Sequence, residues 1–370
     1  MIRIPDELPV PKHHTMEIVD SSKIQAFQDC PRGFFFSYVL GLRRDLPNVH
    51  LDFGSAWHDA MEVMLILGQE HGYTDDVVHF AYNKFLVRYR EAFPNEMTDQ
   101  DRAPKNPEYA YRALKAYAKQ YASDNFTVLY TETAGIVPVS DTRKIVVKLD
   151  SILRDNVDQT VNSMEHKTTG RNSNPWREKW HMMFQIESYT HLLYSLFPEE
   201  EVGKVIINGA VMTRSRGFDG VRIPVHKTKD QMLNYLWAAN HWIDMIEWNY
   251  QQLSQASPDD PVMPAFPINC SSCSKFGCRM GGICTTFPNP LRFAQKPPRG
   301  YKVDFWDPLR ENLSASSHIA EEIDGKFTVT KKEESRFAKE LEDFEKSQQE
   351  SMEEITKESN EDFSMFLPRE

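Results

Sequence analysis

A chain of 370 residues, 40% hydrophobic and 26% charged, is long enough to bury a full core, in one large domain or two smaller ones. No apolar stretch approaches the ~20 residues of a membrane span, and Met1-Ile2-Arg3-Ile4-Pro5-Asp6-Glu7 lacks a basic patch followed by an apolar core, so the expectation is a cytoplasmic protein without anchor or secretory signal. The net charge of −11 excludes wholesale coating of duplex DNA, but residues 311–370 hold 17 of the 54 acids and 8 of the 43 bases, leaving 37 and 35 in residues 1–310. That near-neutral body permits a local basic groove.

Residues 1–20 contain Pro and His without a period and read as a flexible or loosely docked arm. Ser21 or Ser22 is a good N-cap for a helix through Ile24 and Phe27 toward Cys30, where Pro31 punctuates it. Gly54 to Gly68 predicts a helix with Trp57, Ala60, Met61, Met64 and Leu65 on one face. Two more helices are expected over Asp76–Ala92 and Glu108–Ala122, forming a helical insertion at about 70–125.

The period then changes to two. Phe126–Glu132 alternates as a strand, and the β-branched run Lys144–Leu149 ends on Asp150. A turn containing Asp155, Asn156 and Asp158 leads to Ser163-Met164-Glu165-His166-Lys167-Thr168-Thr169. Strand alternation points Glu165 and Lys167 to the same face. Two hard carboxylates, Asp150 and Glu165, with an ammonium beside them suit a divalent cation such as Mg²⁺ or Mn²⁺ and metal-assisted phosphodiester hydrolysis. His58 is a further possible metal ligand, and Gln185 and Tyr189, four apart on a helix expected over Arg177–Leu196, share one face. Strands over Lys204–Thr213 and Gly220–His226 and a long amphipathic helix over Lys229–Leu253 complete an α/β pattern: a mixed sheet flanked by helices.

Beyond about residue 285 the pattern fades into a Pro-containing connector. Lys331–Met352 is charge-rich, with Phe337, Leu341 and Phe344 at helical spacing, and Asp362–Pro368 sets apolar residues in an acidic tail that is a possible docking peptide for a protein partner. Four of the five cysteines form the run Cys270-x2-Cys273-x4-Cys278-x5-Cys284, which suits a reducing compartment better than disulfides do. The residues alone leave two sites open. The four could close a tetrahedral Zn²⁺ site, or three of them could join distant Cys30 around a [4Fe–4S] cluster.

Cys30-Pro31, Gly54-x3-His58, Asp150, Glu165-x-Lys167, Gln185-x3-Tyr189 and a closing cysteine group follow one another in that order. This set resembles the PD-(D/E)XK nuclease superfamily over residues 21–285, in the RecB-like, iron–sulfur branch that includes the AddB nuclease domain and the CRISPR-adaptation exonucleases. The resemblance implies a restriction-endonuclease-like core and a metal-dependent DNA exonuclease, acting on single-stranded ends in recombination, repair or phage DNA metabolism. It implies that Asp150 and Glu165 ligate the metal, with His58 and the His166 carbonyl as further ligands, and that Lys167 activates water or offsets phosphate charge. Gln185 and Tyr189 would contact phosphate or hold a catalytic side chain. It also implies an iron–sulfur clamp from Cys30, Cys278, Cys284 and Cys273, with Cys270 as the alternative ligand. The spacing departs from the branch's usual Cys-x2-Cys-x5-Cys trio through a fourth cysteine and an x4 gap. Bases would stack on Trp57 or Phe53 unless those rings are core. The alternatives are a non-catalytic iron–sulfur or zinc DNA-binding module, or an endonuclease or spacer-processing component that works with a partner.

Overall fold

Helix starts follow their caps. In the structure, a computed structural model, residues 2–215, 217–270, 273, 278–314, 316–323 and 326–331 are described. The carboxylate of Asp20, rather than Ser21 or Ser22, caps α1 (Ser21–Asp29) by accepting from the Lys23 amide. Pro31 opens the short α2 (Pro31–Phe34), and the strand β1 (Leu42–Arg44) leads to α3 (Val49–His71), capped by Asn48. Thr74 caps α4 (Asp75–Ala92), and Asn106, followed by Pro107, caps α5 (Pro107–Gln120).

The strands β2 (Phe126–Pro138), β3 (Lys144–Asp155) and β4 (Val161–Thr169) form an antiparallel meander. The helix expected over Arg177–Leu196 is broken into α6 (Asn174–Glu178), a 3-10 turn at Lys179–Met182, and α7 (Phe184–Leu196). Trp180 turns into the core, and Met183 adopts extended backbone to start the helix again. This crossover returns the chain to β5 (Val202–Thr213), parallel to β4, and then to β6 (Gly217–Val225) and α8 (Lys229–Ser254). After α9 (Gly281–Thr286) come β7 (Tyr301–Val303), β8 (His318–Ile323) and β9 (Lys326–Lys331). The main sheet has seven strands in the order β6-β5-β4-β3-β2-β8-β9, and β1 pairs with β7 in a separate ribbon. The chain is therefore mixed α/β with helices on both faces of the sheet.

β5 shows how the two faces fill. Val205 and Ile207 pack with α1, α7 and α8, whereas Ala210 and Met212 pack with α3, α4 and α5. Phe53 and Trp57 lie in the second cluster, 0% and 1% exposed, so they are core and offer no surface to a base. Residues 2–20 are held down: Ile2, Val10, Met16 and Val19 are buried, and the Val146 amide donates to the Val19 carbonyl. β8 and β9 lie within the stretch read from sequence as connector, and β8 runs parallel to β2. Residues 332–370, with the charged helix and apolar tail expected there, lie outside the described residues. Among the described residues no helix is long and apolar enough to cross a membrane.

Lys105 is buried between α4 and α5, 4.6 Å from the Phe53 ring centre, and its Nζ has no hydrogen-bond partner among the described residues. Burial pushes its pKa down to about 7 from 10.5. The folded protein therefore holds fewer protons than the unfolded chain between these values, and this group's contribution to stability rises with pH across that window. Lys105→Met is expected to stabilise the protein by about 2 kcal/mol at pH 6, with the gain fading toward pH 10.5. Chemical denaturation at several pH values measures this.

Candidate active site

The hairpin between β3 and β4 builds the site. Asp155 accepts from the Val157 amide at 2.8 Å and Gln159 takes a positive φ of 63°, which closes the turn where the Asn/Asp pattern expects it. With Ser151 opposite Met164, the register sets Asp150 beside Glu165. The His166 amide donates to Asp150 Oδ2 at 2.7 Å and fixes the carboxylate. Glu165 and Lys167 share a face as strand alternation requires, and their side chains form an ion pair. Glu165 is 2% exposed, and its buried Oε2 has no hydrogen-bond partner among the described residues.

Two helices bring the remaining expected residues. His58, in the middle of α3, reaches across to Asp150 with Nδ1 3.2 Å from Oδ1. Tyr189 on α7 faces the Glu165 carboxylate, and the Gln185 side-chain amide donates to the Tyr189 hydroxyl at 2.6 Å. The structure thus gathers His58, Asp150, Glu165, Lys167, Gln185 and Tyr189. The His166 imidazole instead turns toward β5, where the Asn208 amide nitrogen lies 3.0 Å from Nδ1, and its ring stands edge-on to that of His58 at 6.0 Å. Asn208 bonds to the Tyr117 hydroxyl, and Arg222 ties Tyr117 to Asp124. This support locks the strand that carries Glu165 and Lys167.

The charges are strongly interdependent. Burial opposes the charge on Asp150, but the adjacent His58 outweighs it and holds the carboxyl well below its usual range. Burial and the neighbouring Asp150 push Glu165 up, against the pull of Lys167. Burial likewise works against a proton on His58, yet Asp150 raises this imidazole to about 9. For His166 burial wins, lowering it to about 3 and leaving it neutral. Lys167, although half-buried, keeps its proton because Glu165 and Asp150 lie beside it.

Two adjacent carboxylates, the half-buried Asp150 and the buried Glu165 with its unpartnered oxygen, form a donor set suited to a hard divalent cation. Among the described residues no group of three or more His, Cys, Asp or Glu forms a ready metal cage. A cation here would keep waters and substrate oxygens in its shell, as Mg²⁺ does. The sequence reading missed Lys179 and Trp180. The Trp180 ring centre is 6.0 Å from Lys167 Nζ and 4.2 Å from Lys179 Nζ, so a second ammonium adjoins the site. Nothing in a continuous helix marks these two, because the break at Met183 is what turns Trp180 inward and leaves the exposed Lys179 beside it.

Cysteines far apart in sequence come together at Asn269. Cys30, at the end of α1, accepts from the Asn269 amide at 3.5 Å, and Cys273 Sγ lies 3.8 Å from the Asn269 carbonyl oxygen. Burial raises the Cys284 thiol against the pull of Arg32, and Cys30, Cys278 and Cys273 add to the rise. Burial also raises Cys273, with Cys278, Cys30 and then Cys270 contributing. All five are free thiols.

Among solved structures, one from Eubacterium rectale described as a candidate exonuclease is 14% identical, with a TM-score of 0.38; the match covers 65% of this chain and 82% of that one. Another, described as SSO0001, is 18% identical with a TM-score of 0.25, covering 43% and 69% of the two chains. No curated protein matches the sequence. The family model described as the PD-(D/E)XK nuclease superfamily matches residues 21–279.

Proposed function

This chain belongs to the PD-(D/E)XK nuclease superfamily, hence to hydrolases acting on nucleic acid, and from that premise we propose that it is a metal-dependent deoxyribonuclease degrading single-stranded DNA from its ends. The observation that carries the catalytic reading is the adjacent Asp150–Glu165 pair, with a buried, unpartnered Glu165 oxygen and a protonated Lys167 beside it. Asp150 and Glu165 are the metal ligands, with His58 and the His166 carbonyl as further donors. Mg²⁺ or Mn²⁺ held there supplies activation of water and neutralisation of phosphate charge.

The chain's own groups do the positioning. His58 must give up its proton to act as a ligand, and the proton leaves with the Asp150 ion pair. Lys167 holds its proton and offsets charge that grows on the phosphate. Tyr189 orients Glu165, and Gln185 orients Tyr189. Lys179 offers a second ammonium to the phosphate, while Trp180 covers the apolar side.

Single-strand preference and attack from ends follow the motif resemblance. With Mn²⁺, linear single-stranded DNA is expected to shorten while circles of the same sequence stay intact. Cutting of circles at a comparable rate would make the enzyme an endonuclease. The cysteine centre is assigned to a [4Fe–4S] cluster held by Cys30, Cys273, Cys278 and Cys284. Its support is that Cys30 and Cys273 both meet Asn269, which brings the distant Cys30 to the C-terminal cysteine run, whereas a zinc site of the C-terminal four would leave Cys30 out.

A further inference from the structure

A cleft of about 900 Å³ opens where the β1–β7 ribbon meets the start of α3. It gathers Arg43, Arg44, Arg88, Arg279, Lys302 and Arg310, six bases against the three acids Asp45, Asp52 and Asp304. In a chain of net charge −11 this is a local reversal of sign. Two bases are matched by carboxylates: Arg88 pairs with Glu91 at 2.8 Å, and Lys302 lies 3.7 Å from Asp304. Arg43 lies over the Tyr38 ring at 5.4 Å, and Arg44 donates to the Arg279 carbonyl at 3.2 Å. Among the described residues no ion pair neutralises Arg43, Arg44 or Arg279.

The ribbon holds these groups in place. Gly41 has a φ of +63° and its Cα faces the Phe305 ring, where an added Cβ would stand 3.0 Å from three ring atoms. The Gly41 carbonyl accepts from the Asp304 amide at 2.7 Å, and the Tyr301 hydroxyl donates to the Arg279 carbonyl at 2.7 Å. Phe305 and Trp306 line the same cleft; Phe305 stacks on His13 at 4.0 Å, and the Trp306 indole nitrogen donates to Asp20 at 2.9 Å. With Phe305 sandwiched between His13 and Gly41, the rings hold the walls of the cleft, and its unneutralised guanidinium groups are the parts of a groove that follows a single strand by charge on its phosphates. The cleft is much larger than one phosphate requires. Its Asp52 wall belongs to α3, the helix that carries His58 six residues on, about 9 Å along the axis.

We propose that this cleft is the entry groove for the single-stranded nucleic acid substrate, binding its phosphodiester backbone through Arg43, Arg44, Arg279 and Lys302 and delivering it to Asp150 and Glu165. The inference rests on the nuclease reading and extends it to the binding of substrate. Salt dependence reports such contacts, because each phosphate neutralised on a single strand adds about −0.7 to the slope of log K against log salt.

The test measures binding of a fluorescent oligothymidylate in EDTA over a salt series. The variant Arg44→Ala/Arg279→Ala/Lys302→Ala is expected to bind at least tenfold more weakly at low salt. Its slope should be shallower by about 2. Arg112→Ala/Lys119→Ala/Lys229→Ala, which removes three exposed bases elsewhere, is expected to match the wild type. If the first variant lowers the unfolding midpoint, Arg44→Gln/Lys302→Gln on exposed positions is expected to shift the slope by about 1.4 instead. Cleft and control variants with the same slope and affinity would overturn the groove. Cleavage by the wild type with Mn²⁺ is scored separately. A protein that cuts DNA but binds it independently of the cleft overturns only the groove, and one that binds through the cleft without cutting overturns only the catalytic reading.

Discussion

Glu165→Ala is expected to lower metal-dependent cleavage by about a thousandfold or more, a loss of roughly 4 kcal/mol of transition-state stabilisation. The carboxylate does two things at once. It supplies the buried, unpartnered oxygen that a cation needs, and it fixes the Lys167 ammonium through their ion pair. Alanine removes both. Glu165→Gln keeps the size and the contact with Tyr189 but removes the charge that Asp150 opposes. It is therefore expected to fold at least as well as the wild type and still to lose cleavage. Single-turnover rates with Mn²⁺, read beside unfolding midpoints, separate lost chemistry from lost structure. Cleavage surviving in either variant would remove Glu165 from the site.

Cys30→Ala is expected to abolish iron binding and to weaken the joint between the N-terminal helices and the C-terminal cysteine segment. Cys30 and Cys273 already bracket Asn269 through their sulfurs, and the Arg32 amide and side chain both bond to backbone carbonyls between Phe266 and Pro288. A cluster here closes a loop of about 240 residues, and by the chain-entropy model that constraint is worth about 5 kcal/mol. Iron analysis and the visible spectrum of anaerobically purified protein give the result: about four irons per chain in the wild type and none in Cys30→Ala, with a lower unfolding midpoint. A colourless protein with one zinc, insensitive to Cys30→Ala, would overturn the cluster and leave the carboxylate site unaffected.

What the sequence revealed and what it concealed divides by range. Asp150 and the Glu165-x-Lys167 pair were legible because strand alternation and the Asp155 turn are local properties. The Gln185–Tyr189 contact was legible for the same reason, since four residues make one helical turn. His58 could be listed from its motif, but only the packing of α3 against the sheet brings it to Asp150. Lys179 and Trp180 were hidden because burial of one indole breaks what periodicity presents as a continuous helix. β8 escaped because its partner is β2, with Thr133 opposite His318, and no short-range pattern encodes that pairing. The first twenty residues looked loose because Ile2, Val10, Met16 and Val19 follow no period, yet each finds a place in the core. The basic cleft was invisible for a further reason: its six bases come from four separate stretches of chain, and the overall charge has the opposite sign.

The most direct test of the central claim is incubation of end-labelled linear single-stranded DNA with wild-type protein and with Asp150→Asn, each in Mg²⁺, in Mn²⁺ and in EDTA. The account predicts shortening of the strand by the wild type in either metal, none in EDTA, and a loss of about a thousandfold in Asp150→Asn. Cleavage in EDTA, or an Asp150→Asn variant that cuts as fast as the wild type, would contradict it.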